Sequence, residues 1–170
     1  MDNTETKVLV IVGSSKKWFE DFITADALLL EPYDICCVNK AILCIPCVTL
    51  EWPKYWYSYH DKIFKEIQKQ YAIPVQLHSC QPYGDIVLDL SQHDRSGSSG
   101  LQAVKFALRY WKYDKIILCG IGLDKPYYDL FYKAWARSKK EILNKVKVMS
   151  GNLVKLLGTP DKGWINEPSN

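Results

Sequence analysis

Lys7-Val8-Leu9-Val10-Ile11-Val12-Gly13-Ser14-Ser15 is an apolar, largely β-branched run that ends in a glycine–serine turn. A short run without polar interruption is the pattern of a strand buried on both faces, as in a parallel sheet. From Lys16 to Leu30, Trp18, Phe19, Phe22, Ile23, Leu29 and Leu30 recur at roughly helical spacing, with Pro32 just beyond. Asp34–Val38 then reads as a second buried strand, closed by Asn39, a residue that tolerates left-handed backbone. The opening order is therefore βαβ.

The same alternation continues. Lys40–Trp52, interrupted by Pro46, fits a strand or a buried helix equally. Tyr55–Tyr59 is aromatic enough for a strand and leads through His60 into an amphipathic helix with Ile63, Phe64, Ile67 and Tyr71. Pro74–His78 and Ile86–Leu88 are short candidate strands, and Ser91–Gly100 is polar and loop-like. Leu101, Val104, Ala107 and Leu108 share one helical face within Ser99–Trp111, and Lys115–Cys119 is another apolar strand ending at Gly120. Helices are predicted over Tyr127–Lys140 and Asn152–Leu157, so residues 125–170 read as a helical C-terminal extension of one 1–170 domain. Strands alternating with helices predict an α/β fold: a mostly parallel, doubly wound sheet with helices on both faces.

Composition narrows the function. At 170 residues and 48% hydrophobic, the chain can bury one ordinary core. A net charge of +3 is too small for a dedicated polyanion binder, so nucleic acid is not the expected partner. No apolar stretch approaches the roughly 20 residues of a membrane span, and the acidic N-terminus lacks the pattern of a secretory signal. A cytosolic location and reduced, mostly buried cysteines are expected.

Ligands of doubly wound sheets sit beyond the carboxyl ends of the strands. There, Asp94-Arg95-Ser96-Gly97-Ser98-Ser99-Gly100 leads into a helix and offers backbone N–H groups, hydroxyls and a guanidinium to a phosphate or carboxylate. Ser98 or Ser99 would also cap that helix, and the two roles are compatible. Gly13, Ser14 and Ser15 form a second candidate anion loop, without the spacing of the dinucleotide fingerprint or the P-loop; any buried strand also needs a small-residue turn. Among the histidines, His60 is best placed for proton transfer, His93 adjoins the glycine–serine loop and His78 reads as structural. Asp124 can hold a ribose hydroxyl or a metal-bound phosphate, or serve as a turn aspartate.

Cys44-Ile45-Pro46-Cys47 has C-x-x-C spacing. Its surroundings do not follow the thioredoxin order, and no second pair completes a zinc set, so no metal site is expected and core thiols are the preferred reading. Trp52, Trp56, Trp111 and Trp135 are read as core rather than as a base-stacking platform.

The strings Gly97-Ser98-Ser99-Gly100-Leu101-Gln102-Ala103-Val104 and Lys115-Ile116-Ile117-Leu118-Cys119-Gly120-Ile121-Gly122-Leu123-Asp124 resemble a family of small tailed-phage proteins labelled "norphogenetic". The likeness extends to Val12–Ser15, Cys37-Val38-Asn39, Ser58-Tyr59-His60, Val148–Gly151 and Leu156–Gly158, covering nearly the whole chain. It implies a phage origin, a Rossmann-like fold and residence in the cytoplasm of an infected bacterium. The serine–glycine helix followed by a strand ending in Gly-x-x-x-Asp is more distantly similar to bacterial CMP-sialic-acid-dependent sialyltransferases and to hydroxymethylpterin pyrophosphokinase-like domains. That likeness implies a nucleotide ligand facing Gly13–Ser15, Asn39, Ser98–Gly100 and Asp124, with His60 available for proton transfer; no cofactor is assigned, a divalent cation brought with the nucleotide being the one candidate. Together these readings give an accessory protein, expected as a homo-oligomer, that binds and sequesters a host nucleotide signal. The alternatives are a transferase or hydrolase acting on an activated nucleotide or nucleotide sugar, and a virion assembly scaffold.

Overall fold

The computed structural model describes residues 6–30, 32–88, 98–124 and 129–167. The opening run forms β1 (Val8–Val12), buried along its whole length, and α1 (Trp18–Leu28) returns the chain to β2 (Asp34–Val38). The Lys40–Trp52 stretch is neither a strand nor one buried helix. Asn39–Leu43 is a 3₁₀ turn, and α2 (Pro46–Thr49) is a single helical turn begun by its proline. β3 (Tyr55–Tyr57), α3 (Asp61–Gln70), β4 (Leu77–Ser79) and β5 (Ile86–Val87) follow, then α4 (Ser99–Arg109) and β6 (Lys115–Cys119).

Residues 129–167 are not only helical. After α5 (Asp129–Ile142), Val146–Val148 forms β7 beside β6, before α6 (Val154–Leu157) and α7 (Lys162–Asn166). The valines of β7 are buried while Lys147 is half-buried. The outer side of this strand is covered: the Val148 N–H donates to the Gly158 carbonyl (3.1 Å), and Lys147 Nζ donates to that of Leu157 (2.9 Å).

The seven strands form one all-parallel sheet in the order β5-β4-β3-β2-β1-β6-β7, an α/β Rossmann-like fold. From β1 the chain steps outward to β5, then crosses back to place β6 on the other side of β1. The β1/β6 boundary is therefore the topological switch point. Strand alternation divides the core between two faces. Leu9, Ile11, Ile116 and Leu118 pack with Leu101, Val104 and Phe106 of α4 and with Trp135 of α5. Val10, Val12, Ile117 and Cys119 pack with Phe22 and Ala25 of α1 and with Phe64 of α3. Helices thus cover both faces, and none of those described is long and apolar enough to cross a membrane.

Candidate functional site

At the switch point the β1 and β6 turns are locked together. The Gly13 N–H donates to the Cys119 carbonyl (2.8 Å) and the Ser15 N–H to that of Gly120 (3.2 Å). A Cβ on Gly13 would lie 2.6 Å from the Gly120 oxygen, so only glycine allows this approach. Two N–H groups expected to face an anion are thereby committed within the protein. What remains outward is the exposed Ser14 and the half-buried Ser15, whose hydroxyls have no partner among the described residues, together with exposed Lys16 and Lys17. No side chain among the described residues caps α1: the Trp18 N–H donates to the Ser15 carbonyl (3.1 Å), the next N–H groups of the first turn stay open, and exposed Glu20 stands in the same turn as a counterweight to the two lysines.

The second loop divides between roles. Arg95 and Gly97, like His93 and Asp94, lie outside the described residues. Ser98 is the N-cap of α4, its Oγ accepting from the Leu101 N–H (3.4 Å). Ser99 Oγ accepts from the Tyr59 N–H (3.2 Å), and Gly100 lets the helix approach Ile121, whose Cγ2 would lie 3.0 Å from an added Cβ. Ser98 and Ser99 are both buried, so capping and tertiary joining are established roles for them.

Asn39 adopts the left-handed conformation at φ 54°. Its Oδ1 accepts from Ser58 Oγ (2.7 Å), and its carbonyl accepts from Trp56 Nε1 (2.9 Å). Ser58 Oγ in turn accepts from the His60 N–H (2.9 Å). The His60 ring is exposed at the start of α3 and meets the edge of Tyr59 at 5.5 Å.

These contacts make a continuous rim along the strand ends. It runs from Gly13 and Gly120 through Ile121 to Gly100 and Ser99, then through Tyr59 and Ser58 to Asn39. Asp124 follows just past Ile121, beyond the end of β6. Its Oδ1 accepts from the Asn152 N–H (3.3 Å), while Asn152 Nδ2 donates to the Leu123 carbonyl (3.0 Å), which ties the aspartate to the turn after β7.

Sequence reasoning missed two internal supports. Buried Asp21 accepts from the Gly120 N–H and from Ser150 Oγ, both at 2.8 Å, pinning α1 to the ends of β6 and β7. Below the rim, Tyr57 donates to Gln102 Oε1, which also accepts from Cys80 Sγ at 3.4 Å. Burial raises the Tyr57 phenol well above its ordinary pKa and so keeps it a donor.

Buried His78 packs edge-on to Tyr55 and Trp111, with Nδ1 3.2 Å from the Gln76 carbonyl. Burial lowers its pKa despite hydrogen bonds to the Gln76 and Trp56 backbone and the nearby Asp85. The unfolded chain then takes up this proton at higher pH than the folded chain. Stability is full above the ordinary histidine range and falls as pH drops below about 6.5 towards the folded value. The expected result is a smaller loss of Tm between pH 7 and pH 5 in His78→Phe than in the unsubstituted protein. Equal losses in thermal melts would remove His78 as the cause.

The cysteines divide as well. Cys36, Cys37 and Cys119 are buried, with thiol pKa values raised by burial. Cys44 and Cys80 are half-buried and Cys47 is exposed, so a core role does not describe Cys47. Trp56 and Trp135 are core residues, whereas Trp52 is 43% exposed. Among the described residues no cluster of three His, Cys, Asp or Glu side chains is placed to hold a metal. No protein-family model, curated protein or solved structure matches this chain.

Proposed function

We propose that the protein binds a nucleotide or nucleotide-derived ligand across the carboxyl ends of β1, β2, β3 and β6. The observation that supports this most directly is the convergence at the switch point: Ser14, Ser15, Lys16 and Lys17 at the uncapped start of α1 stand at one end of a rim that continues to Asn39. Hydroxyls, lysines and a helix start suit a phosphate group. The rim beyond them gives the rest of such a ligand a bed of backbone and small polar groups. On the resemblance to small tailed-phage proteins, the reading extends to sequestration of a host nucleotide by a homo-oligomer.

The test is incubation of the purified chain with ATP, NAD⁺, a cyclic dinucleotide and a nucleotide sugar, followed by mass spectrometry of the protein and the solution. A ligand retained intact supports binding. A ligand consumed favours a transferase or hydrolase, with exposed His60 as its proton-transfer group. Silence across the panel overturns the nucleotide reading and favours an assembly scaffold. For any ligand retained, Ser14→Glu is expected to weaken binding about tenfold or more, because it sets a carboxylate against the phosphate while leaving the core untouched. Unchanged affinity in a calorimetric titration would move the ligand away from the β1 turn.

A further inference from the structure

We propose that Cys44 and Cys47 form a dithiol–disulfide couple, oxidised by low-molecular-weight disulfides, on the segment that leaves the end of β2. The backbone already holds them in one turn: the Cys47 N–H donates to the Cys44 carbonyl at 3.1 Å. A bond between residues three apart has 3₁₀ geometry, in which the two side chains eclipse one another. The Cα atoms at the ends of such a turn lie within about 7 Å, which overlaps the 4.4–6.8 Å a disulfide usually spans. Cys44 (φ −106°, ψ −39°) and Ile45 (φ −58°, ψ −43°) are both in the right-handed helical region, and Pro46 fixes the next backbone angle.

Exposure gives the two sulfurs different parts. Cys47 is exposed and Cys44 half-buried, and neither thiol has a hydrogen-bond partner among the described residues. Cys36, Cys37 and Cys119 are buried beyond reach of a small oxidant. In the first step the Cys47 thiolate attacks one sulfur of the small disulfide, giving a mixed disulfide and releasing one small thiolate, which takes up a proton. In the second, Cys44 loses its proton to solvent and attacks Cys47 Sγ. The protein S–S bond forms and the second small thiol leaves. Two protein thiols are oxidised while one small disulfide is reduced to two thiols.

The bond would close a four-residue loop on the excursion that begins at Asn39, whose side chain holds Ser58 on the rim. The couple itself does not depend on what the rim binds. The full chain would be incubated with oxidised glutathione, unfolded in iodoacetamide, and analysed as intact protein and as tryptic peptides. Two of the six cysteines are expected to escape alkylation, both within the peptide Ala41–Lys54, with no glutathione retained and full reversal by dithiothreitol. Cys44→Ser is expected to keep glutathione on Cys47, and Cys47→Ser to react about tenfold more slowly than the unsubstituted chain. Six alkylated cysteines, glutathione persisting on Cys47 of the unsubstituted chain, or pairing of Cys47 with a different cysteine would each overturn the proposal. Because the unsubstituted chain alone decides among these, poor folding of a variant leaves the test intact.

Discussion

Gly120→Ala is expected to destabilise the protein by about 4 kcal/mol, combining roughly 1–2 kcal/mol for a left-handed side-chain-bearing residue with about 1–3 kcal/mol for overpacking. Gly120 has φ 66°, and an added Cβ would lie 2.6 Å from Trp18 Cβ and 2.8 Å from the Gly13 carbonyl oxygen. The oxygen belongs to backbone and the Trp18 Cβ to a helix fixed against β6, so neither can swing away as a flexible side-chain end would. The strain therefore falls on the contact that joins the β1 and β6 turns. Urea denaturation is the measurement. A midpoint within experimental error of the unsubstituted protein's would show that the two turns are not locked as described. Ser14→Ala is the matched control, because Ser14 is exposed beside the same turn and its loss should leave the midpoint unchanged.

The difference between these two neighbouring positions reflects what local sequence can express. β2 and β6 were legible to the residue, because an unbroken apolar run between turn residues has few readings other than a buried strand. β7 was not legible: Val-Lys-Val after a lysine-rich helix is too short for a periodic signal, and its strand character comes from pairing with Ile116–Leu118. The candidate site shows the same limit. The turns at Gly13 and Asn39 were visible from residue type. What their N–H groups, carbonyls and side chains do was not, because it depends on partners elsewhere in the chain. Tyr59 reaches Ser99 across 40 positions, and Gly120 reaches Asp21 across 99. Asp124 was legible as a ribose or phosphate holder or as a turn aspartate, but its contact with Asn152 was not, because that contact comes from the β7 turn, itself unforeseen.

Asp21 is the strongest instance of such a long-range support, and Asp21→Ala is expected to cost about 3 kcal/mol. Hydrogen bonds to a charged group contribute about 1.5–3 kcal/mol each, and a buried N–H left without a partner costs about 1–3 kcal/mol. Removing the carboxylate takes away both the Gly120 and the Ser150 bonds; the Gly120 N–H is buried, whereas half-buried Ser150 can recover part of its loss from water. Ser150→Ala should therefore cost less, about 1 kcal/mol. Since both substitutions remove the same Asp21–Ser150 bond, the double variant should fall short of the sum of the single losses, a coupling that separates a shared bond from two independent packing defects. Strict additivity in urea melts would mean that Asp21 supports α1 without reaching the β7 turn. If the coupling is found, one carboxylate on α1 holds the ends of β6 and β7 together. The switch point would then keep its shape because of a residue that takes no part in forming its surface.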